Sequence, residues 1–183
     1  MEVVKSSKHL KIVKYIFIAL LGSIFLAISS KIKIPFYPVP MTMQTFVVLF
    51  IGIAFGWKLG LATISLYLFE GIMGLPVFSG TPEKGLGLIY FTGPTMGYLI
   101  GFMVTVYFAG KFTYDQNLIK NFLKLTFAIS FIYFLGMLWL GSLIGWEKPI
   151  FKLGAQPFLL AEIFKILIAA IAINQIKKLR KII

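Results

Sequence analysis

Residues Gly154–Asn174, GAQPFLLAEIFKILIAAIAIN, are apolar over a length that suits a bilayer crossing, yet they carry Glu162 and Lys165 near their middle. A charged side chain at the centre of a membrane helix costs roughly 2.5–3.5 kcal/mol on insertion scales, so such residues face protein or a cavity and mark a functional site. A spacing of three puts both on one side of a helix, below Phe158 and Leu159 and above Ala169. Ile163, Leu167 and Ile171 are then left for lipid or neighbouring helices, and Pro157 opens the helix where its missing N–H is harmless. The pair reads either as a self-neutralising structural ion pair or as a buried polar site that offers a small ligand one acceptor and one donor.

Working outward, the whole chain matches that stretch. It has 183 residues, 59% of them hydrophobic, and a mean hydropathy of +0.93, whereas soluble domains stay near about 45–50% apolar. The length suits a single domain, residues 1–183, of six spanning helices. With no cysteine there is no disulfide, thiol nucleophile or thiolate metal site, and His9 is the single histidine, so neither metal nor cofactor chemistry is expected. The net charge of +12 does not point to nucleic acid, because the basic residues sit at helix ends and form no aromatic-studded patch.

Along the chain, Lys5, Lys8, Lys11 and Lys14 precede an apolar run from Tyr15 to Ser30. That pattern also describes a cleavable signal peptide, but its removal would leave a bundle short of one helix, so the run is expected to remain as the first span. Within it Ala19, Ser23 and Ala27 recur every fourth residue, a spacing that suits close packing inside the chain or docking to another subunit. The prolines of KIKIPFYPVPMTMQ (31–44) forbid continuous helix, which places this segment at an interface or over a cavity. Further spans are expected at about 41–55, 59–73, 93–109 and 125–143, with a tight connection at Gly56, Trp57 and Lys58. Glu70, late in the third span, reads as a snorkelling or capping residue. Residues 71–92 are rich in glycine and proline yet contain Leu75, Val77, Phe78, Ile89, Tyr90 and Phe91, and so read as a lid packed on the bundle.

Charge fixes the expected topology. Lys5, Lys8, Lys11, Lys14, Lys58, Lys111, Lys120, Lys124, Lys177, Lys178, Arg180 and Lys181 fall on one side, against Lys31, Lys33, Lys84, Lys148 and Lys152 on the other. The positive-inside rule makes both termini cytoplasmic and puts the proline segment, the lid and the Trp146 loop on the outer face.

Four motifs in register, PVPMTMQ (38–44), GLPVFSG (74–80), GPTMGYLIGF (93–102) and PFLLAEIFK (157–165), make the chain resemble the BioY family, the biotin-specific substrate-capture components of energy-coupling-factor transporters. The resemblance covers essentially the whole chain. It implies an all-α bundle of six transmembrane helices in the cell membrane that binds biotin on its outer side. It also implies partners: a membrane-spanning coupling protein and two ATP-hydrolysing subunits, which supply the nucleotide site that this sequence lacks. The family's acidic residue and the lysine three later map onto Glu162 and Lys165, with glutamate where aspartate is more usual. Met96 stands where glycine is common, and the segment after Ser79 departs from the family's glycine-rich version, so the ligand contact expected from that loop falls to Lys84. The Ala19, Ser23 and Ala27 stripe resembles the face by which such components dock on their coupling protein.

Biotin's chemistry suits these residues. An ionised Glu162 accepts from a ureido N–H, and Lys165 donates either to the ureido carbonyl or to the carboxylate. Tyr98 and Phe158 are placed to enclose the apolar ring, and Gln44 offers a further bond, with local backbone capping as its alternative. Rival readings are a capture component for another vitamin such as thiamine or riboflavin, an intramembrane enzyme, for which the membrane spans hold few catalytic groups, and a structural scaffold.

Overall fold

The computed structural model describes the backbone of residues 2–183 and the side chains of residues 10–183. Lys5, Lys8 and His9 therefore lie outside the residues whose side chains are described. Among the described residues the regular structure is helical apart from one small hairpin: α1 (Glu2–Lys31), β1 (Lys33–Ile34), β2 (Met41–Thr42), α2 (Gln44–Ile72), α3 (Met96–Lys111), α4 (Leu118–Ile144), α5 (Ile150–Gly154), α6 (Leu159–Ile171) and α7 (Ile173–Ile182). Among the described residues four helical stretches are long and apolar enough to cross a bilayer: Leu10–Lys31, Gln44–Ile72, Leu118–Ile144 and Ile150–Ile171, with Met96–Lys111 a shorter apolar helix.

The expected turn at Gly56 divides α2 into two arms. Gly56 has φ +75° and ψ 171°, a conformation that costs a residue with a Cβ dearly, and the chain reverses there. The arms lie in ordinary contact, a Cβ on Gly60 coming 3.7 Å from the Ile51 side chain, while the tight approach there is to α3, whose Val106 side chain that Cβ would meet at 2.8 Å. A second close approach joins α3 to α4, where a Cβ on Gly101 would meet the Ile132 Cα at 2.5 Å. This is small-residue helix packing of the kind that brings membrane helices together without a hydrophobic driving force.

The proline segment forms an antiparallel hairpin, with Lys33 opposite Thr42 and Ile34 opposite Met41, and α2 begins directly after it. α4 starts at Leu118, earlier than the hydropathy suggests, because the Asn117 side chain accepts the Lys120 N–H at 3.0 Å and caps the helix. The last stretch also differs from a single helix over 154–174. Pro157 lies in a 3-10 turn, Gln156–Phe158, α6 starts only at Leu159, and the helix breaks at Ala172 into a separate amphipathic α7. The late start turns Leu159 outward, while Phe158, Ala169 and the charged pair face inward and Ile163 and Ile171 face outward.

Basic residues gather at the ends as expected. At one end Lys14 donates to the Ile182 carbonyl, Lys177 to the Tyr114 carbonyl at 2.7 Å and Lys124 to the Thr113 carbonyl at 2.6 Å. At the opposite end Lys31 holds the lid.

Candidate functional site

A cleft of about 510 Å³, counting its mouth, opens between the hairpin, the start of α2, the lid, α3, α4 and α6. Its walls are mostly apolar and aromatic, with Tyr98, Phe102, Tyr133 and Phe158 around a few polar groups, the composition of a small-molecule site. Phe158 and Tyr133 stack with centroids 6.2 Å apart and ring planes at 30°.

The polar end is built on Glu162, 4% exposed, and Lys165, 7% exposed. Lys165 donates to Glu162 Oε1 at 2.7 Å, to the Thr45 hydroxyl at 3.1 Å and to the Thr42 carbonyl at 2.6 Å. Thr45 in turn donates to Glu162 Oε1 at 2.8 Å. All three ammonium protons have acceptors, and Oε1 receives two donors. Glu162 Oε2, by contrast, is buried with no hydrogen-bond partner. Tyr133, in the same cleft, lies near the carboxylate without completing a bond to it. A carboxylate fixed through one oxygen and left open at the other is poised to accept a donor from a ligand.

The lid supplies a second open group. Ser79 is buried, lines the cleft, and its Oγ has no partner. The lid's main chain is clamped by bundle side chains: Ser30 and Tyr67 donate to the Val77 carbonyl at 2.7 and 3.0 Å, and Lys31 donates to the Phe78 carbonyl at 2.9 Å. Within the lid, Tyr90 donates to the Ser79 carbonyl at 2.8 Å. Burial pushes the Tyr90 phenol above its ordinary range, so it remains a donor. Phe78 is packed among Tyr67, Tyr90 and Phe91, with centroids at 5.2, 4.7 and 5.4 Å.

The residues expected at the site are therefore distributed unevenly. Glu162, Tyr98 and Gln44 line the cleft. The Tyr98 hydroxyl is occupied by the Gly154 carbonyl at 2.8 Å, so its ring is what the cleft sees. The Gln44 amide donates to the Tyr67 hydroxyl at 2.7 Å, which ties it to the lid clamp. Lys165 stands behind Glu162, beside a separate shallow hollow under the hairpin. Lys84 lies outside the cleft, in an adjoining hollow that shares Tyr90 and Thr95 with it. Its ammonium sits below its ordinary range, first through partial burial and then through Lys33. The stripe expected to dock a partner turns inward: Ala19 and Ser23 are buried, Ala27 is half-buried, and Ser23 donates to Glu70. Its spacing suits internal packing because Gly22 beside it lets α1 approach Thr63 and Phe55 on α2. Glu70 is thereby an internal acceptor as well as an end-of-helix residue. Thr45 and Ser79 were not singled out from the sequence as site residues; the run of Thr42, Gln44 and Thr45 at the start of an apolar span was the available signal for the first, and Ser79 had none.

A helical membrane bundle that roofs over one half-satisfied carboxylate is organised to hold a small ligand. The sequence model of the BioY family matches residues 4–182. The chain belongs to the BioY family. It is 32% identical over 160 residues to the "Probable biotin transporter BioY" of Pyrococcus horikoshii, covering 86% of this chain and 94% of that one. To the biotin transporter BioY of Thermotoga maritima it is 32% identical over 155 residues, 84% of this chain and 90% of the other. The fold also matches a crystal structure of the S-component for biotin from an ECF-type ABC transporter, with a TM-score of 0.76 and 24% identity over 92% of this chain and 93% of that one. These relatives are transporters, so the chain is a multi-pass membrane protein of a transport family and the intramembrane-enzyme reading falls away.

Proposed function

We propose that this chain is the biotin-capturing subunit of an energy-coupling-factor importer in the plasma membrane, working as one domain over its whole length. The chain crosses the bilayer six times, as α1, the two arms of α2, α3, α4 and α6, with both termini cytoplasmic and the lid outside. A coupling protein and ATP-hydrolysing subunits energise delivery. The observation that carries the reading is that two of the three buried unpartnered side-chain atoms among the described residues, Glu162 Oε2 and Ser79 Oγ, belong to residues lining one cleft, the third being Asn121 Oδ1 elsewhere. Glu162 Oε2 accepts a ureido N–H of biotin, and the Ser79 hydroxyl takes a second polar group. Tyr98, Phe102, Tyr133 and Phe158 cover the ring system and tail. Lys165 contributes chiefly by holding Glu162, since its donors already have acceptors. Lys84, in the adjoining hollow, receives the carboxylate of a ligand whose tail extends under Tyr90.

The relatives' names favour biotin over thiamine or riboflavin. Isothermal titration of the purified protein tests this: biotin binds at micromolar affinity or tighter, and neither thiamine nor riboflavin competes. Binding weaker than micromolar by well-folded protein, or displacement by another vitamin, overturns the assignment.

A further inference from the structure

At the end of the bundle opposite the cleft, an open hollow of about 820 Å³ is walled by Trp57, Gly110, Phe112, Lys111, Lys177 and Arg180, which come from the α2 turn, α3 and its following loop, and α7. We propose that this hollow binds the phosphate of an anionic phospholipid headgroup. The proposal rests on the chain being embedded in a membrane with this end cytoplasmic, as in the orientation proposed above, and is independent of which ligand the cleft holds.

The cations here are not merely scattered over a solvated end. Arg180 donates to the Gly110 carbonyl, Lys177 to the Tyr114 carbonyl at 2.7 Å, and Lys111 to the Tyr107 hydroxyl at 2.8 Å. Each partner is neutral. Among the described residues the one ion pair within 4.0 Å is Glu162–Lys165, on α6 at the cleft, so none of their carboxylates lies within 4.0 Å of any of the three cations. The Asp115 carboxylate, close in sequence, is turned to its own loop, accepting the Asn117 N–H at 2.8 Å. An arginine has five N–H donors and a lysine three, so after these bonds several remain for an anion. The position of Arg180 is also provided for by the backbone. A Cβ on Gly56 would collide with its guanidinium, and Gly110 lets α3 cross directly against the Gly56–Trp57 turn.

The surroundings select a lipid over a free ion. The hollow lies where the apolar arms of α2 and the apolar α3 end, with Trp57 38% exposed beside it and packed edge-on to Tyr107 at 5.7 Å, the setting in which interfacial aromatics meet headgroups. Phe112 gives one wall an apolar surface for the upper part of a lipid acyl chain. Basic hollows between membrane helices on the cytoplasmic side are suited to anionic headgroups, and α7 adds Lys178 and Lys181 as a diffuse attraction outside the hollow.

The test is a thermal-shift titration of the full-length protein in a neutral detergent with dioctanoyl phosphatidylglycerol, dioctanoyl phosphatidylcholine or inorganic phosphate. Phosphatidylglycerol raises the melting temperature in a saturable way, and the other two do not. Lys177→Gln with Arg180→Gln weakens the apparent affinity by roughly tenfold or more, as expected for lost charge-assisted contacts. Lys178→Gln with Lys181→Gln removes the same charge outside the hollow and changes the affinity by less than about twofold. Should the first pair fail to elute as a monodisperse species, Lys177→Gln alone reads the same loss. An equal fall in both pairs overturns the proposal in favour of diffuse surface charge, and a full shift with phosphate alone overturns it in favour of a free anion. No lipid response, together with loss of a co-purifying partner from the Lys177 and Arg180 variant, makes the hollow a receptor for an acidic protein segment instead. Biotin titration of the same preparations reads the cleft separately, so the two proposals fail independently.

Discussion

Replacing Glu162 with Gln and Lys165 with Met together separates a ligand-binding role from a structural one. Removing either partner of a buried ion pair alone leaves an uncompensated charge, with a penalty of about 3–5 kcal/mol, so single variants confuse folding with binding. The double change leaves no buried charge. The glutamine's carbonyl oxygen can still accept the Thr45 O–H, which in the parent meets Glu162 Oε1 at 2.8 Å. What the fold loses is the donor to the Thr42 carbonyl, at a cost of about 1 kcal/mol. In the cleft the change is larger, because the open acceptor Oε2 becomes either a neutral oxygen or an N–H that opposes a ureido N–H. Hydrogen bonds to charged groups contribute about 1.5–3 kcal/mol, so biotin affinity falls by roughly ten- to 150-fold. Size-exclusion elution and melting temperature check the first half, and isothermal titration with biotin checks the second. A monodisperse, near-parental double variant that binds biotin as the parent does would remove Glu162 from the site.

Further outcomes follow from the packing. Ser23→Leu breaks the bond to Glu70 at a fully buried position and lowers melting temperature, binding and uptake together; loss of uptake alone, with binding intact, would return the stripe to a docking role. Gly71→Ala drives a methyl into the Phe78 ring under the lid and destabilises by about 1–3 kcal/mol, read as a lower denaturation midpoint with faster biotin release; an unchanged release rate would mean that Phe78 does not fasten the lid. A reporter active only in the cytoplasm works when fused after Ile183 and fails when inserted between Gly80 and Gly85, and the reverse pattern overturns the proposed orientation.

Much of the bundle could be read from local rules. Gly56 beside Trp57 and Lys58 announced a reversal, and the apolar runs around it set the two arms of α2. Glu162 and Lys165 stood out because charge in an apolar helix is costly wherever the helix goes. The boundaries that moved, at Leu118 and Leu159, depend on a side-chain cap and on a 3-10 turn, which hydropathy does not register. The site was less legible than the fold. Thr45 reaches Glu162 across 117 positions of sequence, and nothing local distinguishes a hydroxyl that steadies a carboxylate from one that satisfies its own helix. Ser79 owes its place to the packing of the lid on the bundle, a tertiary contact with no local signature. The stripe of Ala19, Ser23 and Ala27 was visible as close packing, but spacing alone does not say whether the neighbour is another subunit or the chain's own α2.

The clamp on the lid consists of Ser30, Tyr67 and Lys31 gripping the carbonyls of Val77 and Phe78, with Tyr90 closing on that of Ser79. Because those acceptors are peptide groups, the latch recognises a path of backbone more than a set of lid side chains. A side-chain change at Ser79 therefore leaves the carbonyls that the bundle grips in place, so the proposed ligand contact and the fastening of the lid can vary separately.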